Sequence, residues 1–255
     1  MNQALQAAMI EAGETAESLA AQTGVDPKTA ARWISPGRVP QPRRRVAVAA
    51  ILGRDINDLW PDVLKRREPQ WLRKWVDWER EAVALRWFEH AWVPGLLQTE
   101  AYARATLAHN LLAPDEIEER VASRAERSAI LFSNKPVQLV AVIDVMVLRR
   151  PMKSHPAAMK EQLAHLAEMA ELAHVQILVV GEDAGLYPGL QGGFILGTLG
   201  DGSVVAHLDH QVRAQVVDQA EDLVTLQQTW EAIRGEAFSR KQSLNLIKEA
   251  AQTWT

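Results

Sequence analysis

A basic stretch near the amino terminus carries the side chains with the clearest chemical potential in this sequence. No acidic residue lies between Asp26 and Asp55. Ammonium and guanidinium groups bind phosphate oxygens, and arginine can also read a guanine edge. The stretch therefore predicts contact with a nucleic acid. The candidate contact residues in this stretch are Lys28, Arg32, Arg38, Arg43, Arg44 and Arg45.

Short helices surround this stretch and have the lengths of a compact DNA-binding domain. The turn Gly24-Val25-Asp26 separates two of them, and glycine suits the bent backbone at its start. Asp26 followed by Pro27 predicts a helix start, since the carboxylate caps the helix and proline needs no donor there. The predicted helices span about residues 5–12, 15–22, 27–34 and 43–52, with a last turn at 55–60.

These elements predict a helix-turn-helix, in which the second helix enters the major groove. Lys28 and Thr29, at the start of that helix, are the candidates for base contacts. Arg32 can reach a guanine or a phosphate, and the sequence leaves both open. The remaining arginines are predicted to bind phosphates and fix the register without reading bases: Arg38, Arg43, Arg44 and Arg45. Trp33 and Trp60 are expected in the core.

Composition and charge limit the class of protein. The chain has 255 residues, of which 47% are hydrophobic and 24% charged, as in a globular protein with a sizeable core. The sequence contains no cysteine, which excludes disulfides, thiolate zinc sites and cysteine nucleophiles. No apolar run reaches membrane-spanning length, and the first residues lack the pattern of a signal peptide. A soluble, cytoplasmic protein is expected.

The formal net charge of −4 hides an asymmetry along the chain. Residues 1–67 hold ten basic and seven acidic side chains and carry +3, whereas the remainder carries −7. Only charges within about a Debye length of a phosphate matter for binding it. A local basic face is therefore compatible with DNA binding, while the carboxyl-terminal part is expected to be repelled by DNA.

The pattern predicts a mixed α and β protein with two domains. Residues 1–61 form the helix-turn-helix domain and residues 62–70 a linker. Residues 71–255 form a helical connector and an α/β domain. In that domain, apolar runs at 137–143 and 174–180 flank a helix from Pro156 to about Ala173, which predicts parallel strands. Gly200 to Ser203 predicts a hairpin, and the chain is expected to end in helices over 215–238 and 239–253.

Tryptophans at positions 71, 75 and 78 continue the helical spacing to Ala82, so we predict one helix that Pro94-Gly95 ends. Basic residues near these rings could allow base stacking, but the spacing favours a packing seam. The seam would contact either the carboxyl-terminal domain or a second subunit. Because most helix-turn-helix regulators bind a two-fold operator as dimers, a homodimer contact at this seam is one hypothesis.

Other chemistry has little support in the sequence. On a strand, His207 and Asp209 would share one face while His210 points away, which suits a single metal ion poorly. Gly189 to Gly193 lacks the Lys and Ser or Thr of a phosphate-binding loop. No nucleophile-base pair or cofactor motif is evident. We therefore expect no metal, no cofactor and no catalytic residues, and the chain is not predicted to be an enzyme.

Long segments of the chain resemble known regulators. Residues 25–53, VDPKTAARWISPGRVPQPRRRVAVAAILG, resemble lambda-repressor/Cro-like regulators of the xenobiotic-response-element type in their actinobacterial form. The rest resembles the domain of unknown function of WhiJ-type regulators, through WVPGLLQTEAYARA (92–105), LYPGLQGGF (186–194) and SLNLI (243–247). Departures occur at Arg127-Ser128, where the family usually has Arg-Gln, and at Asp144-Val145, where it has Asp-Glu.

The resemblance implies an antitoxin-like regulator of actinobacterial development or antibiotic production that acts with a small partner protein encoded nearby. We therefore expect a sequence-specific DNA-binding transcriptional regulator that binds a double-stranded operator. A protein partner or small ligand at the carboxyl-terminal domain would control its occupancy. The alternative is a protein-interaction module whose helix-turn-helix does not bind DNA. The modest charge of residues 1–67 keeps this alternative open.

Overall fold

The chain forms two compact units, residues 1–69 and 70–255, and each is described by itself. The structure is a computed structural model that describes residues 2–35, 38–40, 42–60, 70–109, 112–152, 154–208 and 215–254. The predicted linker at 62–70 lies outside these residues except for Gln70. The fold is mixed in class, with helices in the first unit and helices around a six-stranded sheet in the second.

The first unit is built from short helices whose ends follow local capping rules. Thr15 caps α2 by accepting from the amide of Ser18. Gly24 ends the same helix in the left-handed region, with φ of 65°. Asp26 caps α3, as predicted, through a 2.8 Å hydrogen bond from the amide of Lys28. The helices are α1 (Gln3–Glu11), α2 (Ala16–Thr23), α3 (Pro27–Arg32), α4 (Pro42–Leu52) and α5 (Ile56–Leu59).

One hydrophobic core joins these helices. Leu19 and Ala20 of α2 pack with Ala30 of α3, so the predicted contact between the two helices is confirmed. Trp33 and Trp60 are 4% and 2% exposed, which confirms that both belong to the core. Burial of the two indole rings anchors the ends of α3 and α5, because large aromatic side chains dominate the energetics of small cores.

A single sheet organises the second unit. Its strands lie in the order β3-β2-β1-β4-β5-β6. β1 pairs in parallel with β2, and β2 in parallel with β3, whereas β4, β5 and β6 join by antiparallel pairing. The predicted parallel pair and the predicted hairpin are confirmed as β2–β3 and β4–β5. The strands are β1 (Ala82–Glu89), β2 (Gln138–Asp144), β3 (Val175–Val180), β4 (Phe194–Leu199), β5 (Val204–Leu208) and β6 (Gln215–Val217).

Helices cover both faces of the sheet, and each face has its own core. Leu163 and Ile247 pack on one face, where side chains such as Ile143 and Ile177 point. Trp230 and Ile233 pack on the other, with Phe88. Successive strand residues alternate between these cores, as pleating requires. The helices are α6 (Gln70–Glu81), α7 (Glu100–Leu107), α8 (Pro114–Arg127), α9 (Val145–Arg149), α10 (Pro156–Met169), α11 (Ala220–Gly235) and α12 (Arg240–Thr253).

Two predicted helical segments are wrong. The connector helix ends at Glu81, and Ala82–Glu89 forms the central strand of the sheet instead. Ala82 fits the helical spacing by coincidence, while pairing with β2 and β4 on both sides stabilises the extended backbone. Likewise, Gln215–Val217 pairs with β5 as a strand before the last-but-one helix begins at Ala220.

The tryptophan seam packs inside the second unit. Trp75 is fully buried in the main core, and Trp78 packs against that core while partly exposed. The expected packing on the carboxyl-terminal domain is therefore confirmed for Trp75, and this side chain leaves no surface for the alternative homodimer contact. The side chain of Trp71 lies outside the described residues.

Candidate functional site

The first candidate surface is the outer face of α3. Lys28 and Arg32 are exposed and lie one turn apart, so their side chains share a face. Thr29 is partly exposed beside them, while Ala30 and Trp33 point into the core. The burial pattern thus leaves the two predicted base-contacting side chains and Arg32 accessible on one short helix.

The predicted phosphate contacts are placed unevenly. Arg38 is exposed and Arg44 is partly exposed, whereas the side chain of Arg43 lies outside the described residues. Arg45 is fully buried, so the prediction that it binds a phosphate is not compatible with this conformation. The sequence contained the signal, because Arg45 lies three and four residues before Val48 and Ala49, on the inward face of α4.

The second candidate surface is the carboxyl-terminal edge of the three parallel strands. β1, β2 and β3 end there at Glu89, Asp144 and Val180. The strand order reverses at β1, because the chain adds β2 and β3 on one side of it and β4 to β6 on the other. Ligands of open α/β sheets bind outside the carboxyl ends of strands at such a reversal.

A buried hydrogen bond links the loops at this edge. The Tyr187 hydroxyl donates to Oδ2 of Asp144 over 2.6 Å, and Oδ1 of Asp144 accepts from the amide of Met146 over 2.7 Å. Burial, together with the neighbouring carboxylate, raises the pKa of Tyr187 well above its ordinary value. The phenol therefore stays protonated and acts as a structural donor that fixes the β3–β4 loop to the end of β2.

Glycines allow that loop to approach β1. A Cβ at Gly189 would overlap the rings of Phe88 and Tyr187, and one at Gly193 would lie 2.8 Å from Oε2 of Glu89. Phe88 and Tyr187 meet edge to face, with ring centroids 6.2 Å apart. Most of the segment LYPGLQGGF thus belongs to the surroundings of the end of β1.

The other two family-like segments reach the same region. In residues 92–105, Gln98 donates to the Val93 carbonyl over 2.6 Å and accepts from Arg124 over 2.6 Å, which shapes the turn after β1. In residues 243–247, the Ser243 hydroxyl accepts from the amide of Val179 over 3.0 Å at the end of β3. The three segments far apart in sequence therefore support one edge of the sheet.

Sequence reasoning assigned no role to Asp144 or Tyr187. The available signal was the alternation of strand, helix and strand, because parallel strands present their carboxyl ends at a common edge. The long-range pairing of Tyr187 with Asp144 could not be inferred, since no local pattern specifies which loop contacts which strand end.

The histidine of the rejected metal motif has a packing role. His207 is 3% exposed, and its ring lies 5.0 Å from the ring of Trp75 between centroids. Asp209 and His210 lie outside the described residues. Among the residues that the structure describes, no group of three or more His, Asp or Glu side chains is placed to hold a metal ion.

Within the same described ranges, no helix has the length and apolar character needed to cross a membrane.

Comparison with known proteins defines the family through the second unit. The model of a domain of unknown function, DUF5753, matches residues 72–249, which is more than half of the chain. No curated protein and no solved structure matches the chain. The matched range begins in α6, ends in α12 and contains the whole sheet together with the edge described above, so this chain belongs to the DUF5753 family.

Proposed function

We propose that the chain is a sequence-specific DNA-binding transcriptional regulator. Residues 1–61 would bind a double-stranded operator as a helix-turn-helix, with α2 as the first helix and α3 as the recognition helix. The observation that carries the proposal is the exposure of Lys28, Thr29 and Arg32 on one face of α3, directly after a three-residue turn. The resemblance of residues 25–53 to Cro-like regulators supports the same assignment.

Each side chain has a proposed role set by its position. Lys28 and Thr29, in the first turn of α3, would meet base edges, and Arg32 would reach a guanine or a phosphate. Arg38 and Arg44 would bind phosphates, and Arg45 is left out of the interface because it is buried. Control of operator occupancy would come from a partner or small ligand that binds the DUF5753 domain, in line with the antitoxin-like resemblance.

The test is fluorescence anisotropy of the full chain on DNA from upstream of its own gene and on scrambled DNA, across a salt series. Tighter binding to the upstream fragment, weakening steeply with salt, is expected. Binding to neither fragment, or equally to both, would contradict the proposal and favour the protein-interaction module.

Variants then separate the roles within the interface. Arg44→Ala is expected to weaken binding to both DNAs and to lower the salt slope by about one. Thr29→Ala and Arg32→Ala are expected to reduce the preference for the upstream sequence. Lys160→Ala is the matched control, because it removes one positive charge from an exposed position of α10 in the second unit. An unchanged salt slope for Arg44→Ala would refute its phosphate contact.

A further inference from the structure

Exposed apolar side chains concentrate at the carboxyl-terminal edge of the parallel strands. Leu186 is 95% exposed, and Trp92, Met146 and Leu190 are each about half exposed. We name these four residues the apolar edge. Of the seven large apolar side chains exposed among the described residues of the second unit, four lie here and the others are dispersed. The largest apolar patch on the surface of a protein often serves an interaction.

Contacts below the surface connect the elements that carry the apolar edge. Trp92 follows β1, and Met146 lies in α9 directly after β2. Nε of Arg150 donates to the Ala91 carbonyl over 3.0 Å, and its guanidinium lies 5.7 Å from the centroid of the Trp92 ring. The turn after β1 is therefore joined to the end of α9.

The loop that carries Leu186 and Leu190 is joined to α9 from the other side. The Tyr187–Asp144 hydrogen bond fixes it at the first turn of α9. An ion pair between Arg149 and Glu182 fixes it at the last turn. The elements that carry the four side chains of the apolar edge are thus all joined at one short helix, α9.

The size of the apolar edge fits part of a protein interface. At roughly 150–250 Å² per large side chain, the exposed fractions leave on the order of 400 Å² of apolar surface. A stable interface buries about 800 Å² per partner, with an apolar centre and a polar rim. The apolar edge supplies the centre, and the charged side chains around it supply the rim.

The rim charges are compatible with a second copy of the chain as the partner. Arg149 and Arg150 at the end of α9 stand beside Glu182 and Asp183 at the start of the β3–β4 loop. A surface that binds its own copy across a two-fold axis must be complementary to itself, and a rim of one sign would repel. Arg149 already pairs with Glu182 within the chain, so the rim is close to neutral. A neutral rim does not repel its own copy, and it gives no net attraction to an anionic membrane or to DNA.

We propose that a second copy of this chain docks on the apolar edge, so that the protein is a homodimer with Leu186 near the centre of the contact. This contact lies at the carboxyl-terminal end of β1. The helix α6 precedes the other end of β1, and its Trp75 is fully buried. The inference does not depend on DNA binding, and it is tested in the absence of DNA.

The experiment is sedimentation equilibrium of the full chain from low to high micromolar concentration, followed by Leu186→Glu. The wild-type mass is expected to rise towards twice the chain mass of 28.4 kDa. Leu186→Glu is expected to raise the dimer dissociation constant about tenfold or more, because it places two carboxylates in an apolar centre. The thermal unfolding of the free chain should not change, since this side chain is solvent-exposed before docking.

Phe132→Glu is the matched control. Phe132 is also largely exposed, but it precedes β2 and so lies towards the amino ends of the parallel strands. Its dissociation constant is expected to equal that of the wild type. A chain that stays monomeric throughout, a Leu186→Glu variant that dimerises like the wild type, or equal weakening by Phe132→Glu would each overturn the proposal.

Discussion

The buried ion pair between Glu79 and Arg127 offers the sharpest test of how the second unit is stabilised. The Glu79 carboxylate is 1% exposed and accepts from Nε and Nη2 of Arg127 over 2.8 Å and 2.7 Å. It also accepts from Nε1 of Trp75 over 3.2 Å. The substitution Glu79→Gln keeps the side-chain volume while removing the negative charge.

The expected loss in the free energy of unfolding follows from this geometry. The amide oxygen of the substituted side chain can still accept one of the hydrogen bonds, but its NH₂ group would face a guanidinium donor. Breaking a buried ion pair by removing one partner costs about 3–5 kcal/mol. Because the Arg127 side chain is 14% exposed and can recruit water, we expect the lower end, about 3 kcal/mol.

The assay is urea unfolding of the full chain followed by circular dichroism, with Glu161→Gln on the exposed face of α10 as the control. The control should stay within about 0.5 kcal/mol of the wild type. The double substitution Glu79→Met with Arg127→Met should recover most of the loss, because a buried pair and an apolar pair of similar volume are often close in stability. A loss below about 1 kcal/mol for Glu79→Gln would refute the reasoning.

Three further outcomes are expected. Burial and the Asp144 carboxylate raise the pKa of Tyr187. The contribution of Tyr187 to the free energy of unfolding is therefore complete below about pH 10 and falls as the pH rises further. Between pH 8 and 11 the urea midpoint should fall less for Tyr187→Phe than for the wild type, and an equal fall would contradict this. Gly189→Ala should lower the free energy of unfolding by about 1–3 kcal/mol, because the new Cβ overlaps Phe88. Gly235→Ala should leave it unchanged, because a Cβ there meets no atom within 4 Å. Gly24→Ala places a residue with a Cβ at a backbone φ of 65°. The free energy of unfolding of the first unit should fall by about 1–2 kcal/mol, measured by its thermal melting. An unchanged melting temperature would contradict this expectation.

Local rules predicted the first unit well because its signals are contiguous. The Asp26-Pro27 start of α3 and the glycine after α2 act within one turn of the residues they organise, so the sequence alone was enough. Arg45 shows the limit, since its type suggested a surface role while its position on α4 made it buried. The residue type of Arg45 favours an exposed position, but its place on the inward face of α4 determines that it is buried.

The second unit was predicted only where hydrophobic runs were unambiguous. The apolar runs of β2 and β3 identify the parallel pair. The residues of β1 also fit a helical spacing, because the strand is specified by partners about 50 and 110 residues away. The sheet edge depends on that strand, so its residues could not be brought together from sequence. The Tyr187–Asp144 contact follows only when the position of β1 is known.

The absence of space beside Gly189 has a consequence for recognition. The loop from Gly185 to Gly193 is held by a buried phenol, by close glycine contacts and by two short 3₁₀ turns on either side of Leu186. A leucine displayed on such a preorganised loop has little backbone freedom left to lose when it is covered. The loop therefore loses its backbone entropy during folding and not on binding, so a contact at Leu186 has a smaller entropic cost than one made by a flexible loop.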